Sequence, residues 1–128
     1  MNKRINISSG APWEEKVGYS RVVKVDNHIF VTGTVAVDDE GEIIGDNAFE
    51  QADFIISKIE VYLNKVNAKL KDVVRTRIFV TNIDDWKEIG KAHHKYFGEI
   101  KPATTMVEVS RLIDKNLLLE IEADAIIS

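Results

Sequence analysis

Between Leu117 and Ile127 the chain alternates in a way that reads as one β-strand with two unlike faces. Leu117, Leu119, Ile121, Ala123, Ala125 and Ile127 fall on one side, and Leu118, Glu120, Glu122, Asp124 and Ile126 on the other. The first side must be covered by apolar partners. The second places Glu120, Glu122 and Asp124 in a row, where like charges repel unless they are paired. The strand therefore predicts a sheet with one face under helices and one face bare of them.

Two segments can supply the cover. From Phe49 the apolar residues Ala52, Ile56, Ile59, Leu63 and Val66 recur at spacings of three and four, the stripe of an amphipathic helix. Asn47 is its N-cap and Glu50 completes a capping-box-like start. A second helix begins after Asn82, with Asp84 and Asp85 at the positive end of its dipole. Trp86, Ile89, His93, Tyr96, Phe97 and Ile100 line one side of it, and Pro102 ends it. Strands are predicted at Ser20–Val25 and His28–Gly33, closed into a hairpin by Asp26-Asn27. A run at Thr34–Val37 leads through the Asp38–Gly41 turn to Ile43 and Ile44, and further strands follow at Val73–Val80 and Thr104–Ser110. With no repeat or linker, residues 1–128 read as a single α+β domain.

On the bare face, Arg75 and Arg77 share a side with Val73 and Phe79. If Glu108 joins them, that face carries Arg75, Arg77, Glu108, Glu120 and Glu122 among apolar residues. Such a mixture suits a subunit interface better than open water, so self-association is expected.

Charge and composition exclude several classes. Lys and Arg number 17 against 21 Asp and Glu, for a net charge of −4, and the cations are scattered. No basic face for nucleic acid is expected. Absence of cysteine excludes disulfides and thiolate metal sites and fits a reducing compartment. The start Met1-Asn2-Lys3-Arg4 is basic but leads into polar sequence without an apolar core, so no signal peptide is read. No run approaches the roughly 20 apolar residues of a membrane span. The expectation is a soluble, cytoplasmic protein.

The candidate chemistries each have a plainer alternative. His93 lies on an apolar helix stripe, either as an acid–base group in a pocket or as a packed side chain. The carboxylate row Glu120, Glu122 and Asp124 could take a hard cation, but an ion-pair ladder with Arg75 and Arg77 is the better reading. Trp13 and Tyr19 offer aromatic surface that lines a pocket or pins the N-terminal arm. No serine or cysteine nucleophile with partners is present.

Five stretches taken together resemble the reactive-intermediate deaminase family, RidA/YjgF. They are Val17–Ser20, Ile29–Gly33, Asp72–Val80, Pro102–Leu112 and Leu119–Ala123. The resemblance implies a chorismate-mutase-like mixed sheet with two helices on one face, and a homotrimer whose sheets form a central barrel. It implies small-molecule sites in clefts between subunits, where members with activity hydrolyse imines and enamines to keto acids and ammonia. No cofactor and no metal are implied. Those members hold the substrate carboxylate with the arginine of a Pro-Ala-Arg-Ser/Thr motif, and Thr104 stands in that place here. A hydroxyl cannot replace a planar cationic fork. Met106 replaces a common cysteine, and Gly90 a frequent asparagine. By the same resemblance Glu120 is the group that positions water. Tyr19, Thr32, Gly33, Thr104 and Met106 line the cleft, with Trp13 and His93 at its rim. Gly10–Glu14 and Arg111–Asp114 are similar to the arginine-lacking YjgH-like branch. Two functions follow: an imine or enamine deaminase (a hydrolase of C–N bonds) with an altered substrate class, or a non-catalytic trimer that binds a metabolite or a partner. Ribonuclease activity ranks last, for want of a basic patch.

Overall fold

The strand with two unlike faces lies inside the sheet, paired on both edges. The computed structural model describes residues 3–128; Met1 and Asn2, the start of the basic N-terminus, lie outside the described residues. In chain order the elements are β1 (Arg4–Ile7), α1 (Pro12–Val17), β2 (Val22–Val25), β3 (His28–Thr34), α2 (Ala48–Asn64), β4 (Val73–Val80), α3 (Trp86–Phe97), β5 (Ala103–Glu108) and β6 (Leu119–Ile126). The strands form one six-stranded mixed sheet in the order β1-β2-β3-β6-β4-β5. Among the described residues only β4 and β5 pair in parallel. Because β3 and β4 are both antiparallel to β6, they run parallel to each other. The connections from β3 to β4 and from β4 to β5 must therefore cross over, and α2 and α3 are those crossovers. They pack on each other, α2 lies on β3 and β6, and His93 of α3 meets the buried Thr76 of β4 on that same face, which is the predicted α+β layering.

Local chemistry explains the main elements. The Glu50 N–H donates to Asn47 Oδ1 at 2.9 Å, and Glu50 reaches back to the Asp46 N–H at 2.9 Å, closing the start of α2. Ala52, Ile55, Ile56, Ile59 and Leu63 are fully buried along its stripe. Gln51 is buried with them and satisfied: its amide donates to Gly45 O and Asn116 O, and its carbonyl accepts from the Leu118 N–H. That side chain pins α2 to the entry of β6. The β2–β3 hairpin turns at Asp26-Asn27 as expected, with Asp26 in the left-handed region at φ 53°. Asn82 caps a 3-10 turn, Ile83–Asp85, ahead of α3 rather than the helix itself. The helix ends at Phe97, before Pro102, and Trp86 at its start is 54% exposed. The buried stripe of α3 is accordingly narrower, centred on Ile89, Ala92 and Phe97.

Two bulges reset which side chains face the core. In β3, Val31 pairs with Ala123 but Thr34 with Ile121, so three steps on β3 meet two on β6. The extra residue turns Gly33 out of the core face and Thr34, 1% exposed, into it. In β4, Val73 pairs with Ala125 and Arg75 with Asp124, two steps against one. Val73 is thereby buried with Thr76, Ile78 and Val80, and does not share the face of Arg75 and Arg77 as the alternation predicts. Glu108 is also displaced from that face: it pairs with Val80 on the helix side, where its Oε1 accepts the Ile83 N–H at 3.0 Å. β5 and β6, consecutive in sequence, are separated in the sheet by β4. The run after β3 forms only a single bridge, Val37 to Ile43, round the expected glycine turn. β1 and α1 are absent from the sequence reading, because four and six residues are too short for a periodic signal. Among the described residues no helix is long and apolar enough to cross a membrane.

Ile121 is 0% exposed in this core and Ile113 is 92% exposed on a loop. Ile121→Ala is expected to cost about 2–5 kcal/mol in urea unfolding, and Ile113→Ala less than about 0.5 kcal/mol.

Candidate functional site

The bulge in β3 creates the first feature of the site. A Cβ on Gly33 would collide with the Glu120 carboxylate, so glycine is what lets this acid lie against the strand. Burial pushes the Glu120 carboxyl above its ordinary value, the charge of Glu122 adds to the rise, and Arg21 opposes it. Its neighbours in the row are differently placed. Arg77 Nη1 lies 3.2 Å from both Glu122 Oε1 and Asp124 Oδ2. The ladder among the described residues thus runs through Arg77, leaving Glu120 and Arg75 outside it. No group of three His, Asp or Glu side chains is arranged to hold a metal ion among the described residues.

Below Gly33 is a polar cluster that the sequence reading misses. Glu14, on α1, is 4% exposed and accepts from the Ser9 N–H and hydroxyl. Arg21 is buried beside it, 3.8 Å from Nε to the Glu14 carboxylate, and donates through Nη1 to Gly33 O at 3.2 Å. Burial raises the Glu14 carboxyl, but hydrogen bonds from Ser9 and Ser8 and the Arg21 charge outweigh that and hold it below its ordinary value. Lys58 of α2 reaches the same region and donates to Val37 O at 2.9 Å; burial, then Arg21, push its pKa down. The signal for α1 was Pro12 at a first helical position with Glu14 and Glu15 in the first turn.

The predicted ligand residues fall into two groups within one chain. Tyr19 and Thr32 line a groove of about 620 Å³ on the bare face, with Phe30, Glu122 and Asp124. Gly33 and Glu120 adjoin it through Thr32. Thr104 and Met106 face the opposite way: they pair with Thr76 and Ile78, whose side chains are buried under the helices. Thr104 Oγ1 lies 2.8 Å from Thr76 Oγ1, which in turn lies 3.0 Å from His93 Nε2. Burial lowers the His93 pKa, which favours the neutral ring, and the ring packs on Phe97 with centroids 4.6 Å apart. Trp13 is 63% exposed on α1 and joins neither group, its ring carrying Lys16 Nζ at 5.5 Å. Within one chain Glu120 and Thr104 therefore lie on opposite faces of the sheet.

The fold recurs in known proteins. The sequence model of the family described as endoribonuclease L-PSP matches residues 11–127. The chain belongs to the RidA/YjgF family. It is 44% identical to a Mycobacterium tuberculosis protein described as a member of the YjgF/YER057c/UK114 family, covering 98% of this chain and 100% of that one with a TM-score of 0.90. A RutC family protein of Pyrococcus abyssi is 39% identical over 127 residues, 98% of each chain. The 3-aminoacrylate deaminase RutC of Acinetobacter baylyi is 30% identical, also over 98% of each. The chorismate-mutase-like fold that RidA/YjgF proteins share is therefore the fold of this chain.

A carboxyl with a raised folded pKa holds its proton more tightly in the native state than in the unfolded one. Stability then falls as pH rises from the ordinary Glu120 value of 4.5 through the raised one. Glu120→Gln is expected to be more stable than wild type at pH 7 and to lose this part of the fall, read from urea midpoints across pH. Parallel pH profiles for the two proteins would show that the carboxylate is not desolvated.

Proposed function

We propose that this RidA/YjgF chain works in the cytoplasm as a homotrimer that hydrolyses a small imine or enamine lacking a carboxylate handle, in clefts between subunits. The observation that carries the reading is Glu120, a carboxylate desolvated over Gly33, whose raised proton affinity makes it a stronger base for water. Water adds to the imine carbon as Glu120 takes its proton. The nitrogen gains protons and leaves as ammonia, and the carbon becomes a carbonyl. The bare sheet face supports assembly: Phe30, Val107 and Ile126 are exposed there beside the Arg77 ladder. Deaminase activity in the name of the Acinetobacter relative supports the reaction class. In this reading the chain belongs with the arginine-lacking, YjgH-like relatives.

A second reading, a non-catalytic trimer that binds a metabolite or a partner, is favoured by Thr104. Its hydroxyl makes its hydrogen bonds to Thr76 and Pro102, with no cationic side chain among those partners. The ribonuclease sense of the family description is disfavoured by a net charge of −4, which opposes binding to phosphates.

Light scattering at micromolar concentration is expected to give a trimeric mass, and a monomer would overturn the assembly. Wild type is expected to release little ammonia from freshly generated 2-aminoacrylate. Thr104→Arg should raise release roughly ten- to a hundredfold, the size of a charge-assisted bidentate contact. Adding Glu120→Ala should abolish the gain. Wild-type turnover equal to that of Thr104→Arg would refute the altered substrate class, and no turnover by either protein on 2-aminoacrylate or uncharged imines would favour the binding trimer.

A further inference from the structure

The polarity of one hydrogen-bond chain fixes what Thr104 can offer a ligand. Thr104 Oγ1 contacts Pro102 O at 3.2 Å and Thr76 Oγ1 at 2.8 Å, and Thr76 Oγ1 contacts His93 Nε2 at 3.0 Å. A carbonyl only accepts, so the single Thr104 proton is used on Pro102. Thr76 must then donate to Thr104, which uses the single Thr76 proton, and His93 must donate to Thr76. The chain runs one way: His93 Nε2–H to Thr76, Thr76 to Thr104, Thr104 to Pro102 O. Thr76 is fully buried, whereas Thr104 is exposed at the sheet edge with one lone pair unused.

We propose that His93 and Thr76 are positioning residues that lock Thr104 as a hydrogen-bond acceptor, so that the ligand group at this position is an N–H or O–H donor such as an amide, a hydroxyl or an iminium, and not an anion. This deepens the preceding reading and rests on it for the assumption that Thr104 faces the ligand. The elements packed round the imidazole offer Thr76 from β4 and the Phe97 ring from its own helix. Burial alone lowers its proton affinity, with no charged side chain contributing. A neutral ring that donates through Nε2 leaves Nδ1 bare. Thr104 thus presents electron density outward, which repels a carboxylate at the position and attracts a donor of the same shape.

The test has two independent arms. Nitrogen-15 NMR of histidine-labelled protein is expected to show His93 as the neutral Nε2–H tautomer, and the Nδ1–H tautomer would overturn the proposal while leaving the preceding function intact. In the second arm, Thr104 signals are followed while pyruvate and pyruvamide, an anion and a donor of matched shape, are titrated. Pyruvamide is expected to bind about tenfold more tightly, the difference of one hydrogen bond. Thr76→Val should bring the ratio close to one by freeing the Thr104 hydroxyl to rotate, and Thr76→Ser should restore it. A merely structural role for Thr76 would weaken both probes alike and leave the ratio unchanged, which would overturn the proposal. Equal or tighter binding of pyruvate to wild type would overturn it as well. Failure of both probes to move Thr104 would overturn the ligand site of the preceding subsection, and this preference with it.

Discussion

The pairing of β6 on both edges is the constraint on which the rest of the molecule depends. With β3 on one side and β4 on the other, its backbone donors and acceptors are used by the sheet. Its side chains are then committed by the pleat: Leu119, Ile121, Ala123 and Ala125 must meet helices, and Glu120, Glu122 and Asp124 must meet something else. Inserting β6 also makes β3 and β4 parallel to each other, which forces crossover connections. Both crossovers are helices: α2 lies over the apolar side of β6 and β3, and α3 packs beside α2, its His93 reaching Thr76 of β4. One central strand thereby fixes the layering, the bare face and the row of acids together.

Three carboxylates in such a row cannot share one cation equally. Arg77 lies within reach of Glu122 and Asp124, and Glu120, at the far end, lies against the backbone of Gly33. Glu120 consequently has the raised proton affinity that desolvation and an acidic neighbour produce, while Glu14, only a short distance along the same polar cluster, is held low by hydrogen bonds and Arg21. Separation of the proton affinities of nearby acids in this way is a recurring property of sites that handle protons. The glycine and the bulge around it are what bring it about, since any side chain at Gly33 would expel the acid.

The other group of site residues obeys a different rule. Thr76 is a hydroxyl with no exposure, placed between strands under a helix, where an unpaired polar atom is costly. His93 and Thr104 satisfy it from two different elements. The helix–sheet contact at α3 therefore includes a polar line running from the interior to the sheet edge, with Thr104 at its outer end.

What the sequence by itself determined is local. The two faces of β6, the cap and stripe of α2, the bounds of β4 and the hairpin at Asp26-Asn27 follow from side-chain period and turn chemistry within a few residues. The family resemblance was legible in motifs spread over most of the chain, and Glu120, Tyr19, Thr32 and Thr104 could be named from them. Tertiary structure alone decided the rest. A bulge adds one residue to one strand without changing its composition, so alternation could not reveal that Val73 turns inward or that Gly33 turns outward. The partner and register of β5 depend on a strand more than twenty residues away, and they moved Glu108 to the helix side and Thr104 onto Thr76. The buried pairing of Glu14 with Arg21 was hidden for the same reason: both residue types are usually exposed, and only the folded chain brings each a partner that makes burial tolerable.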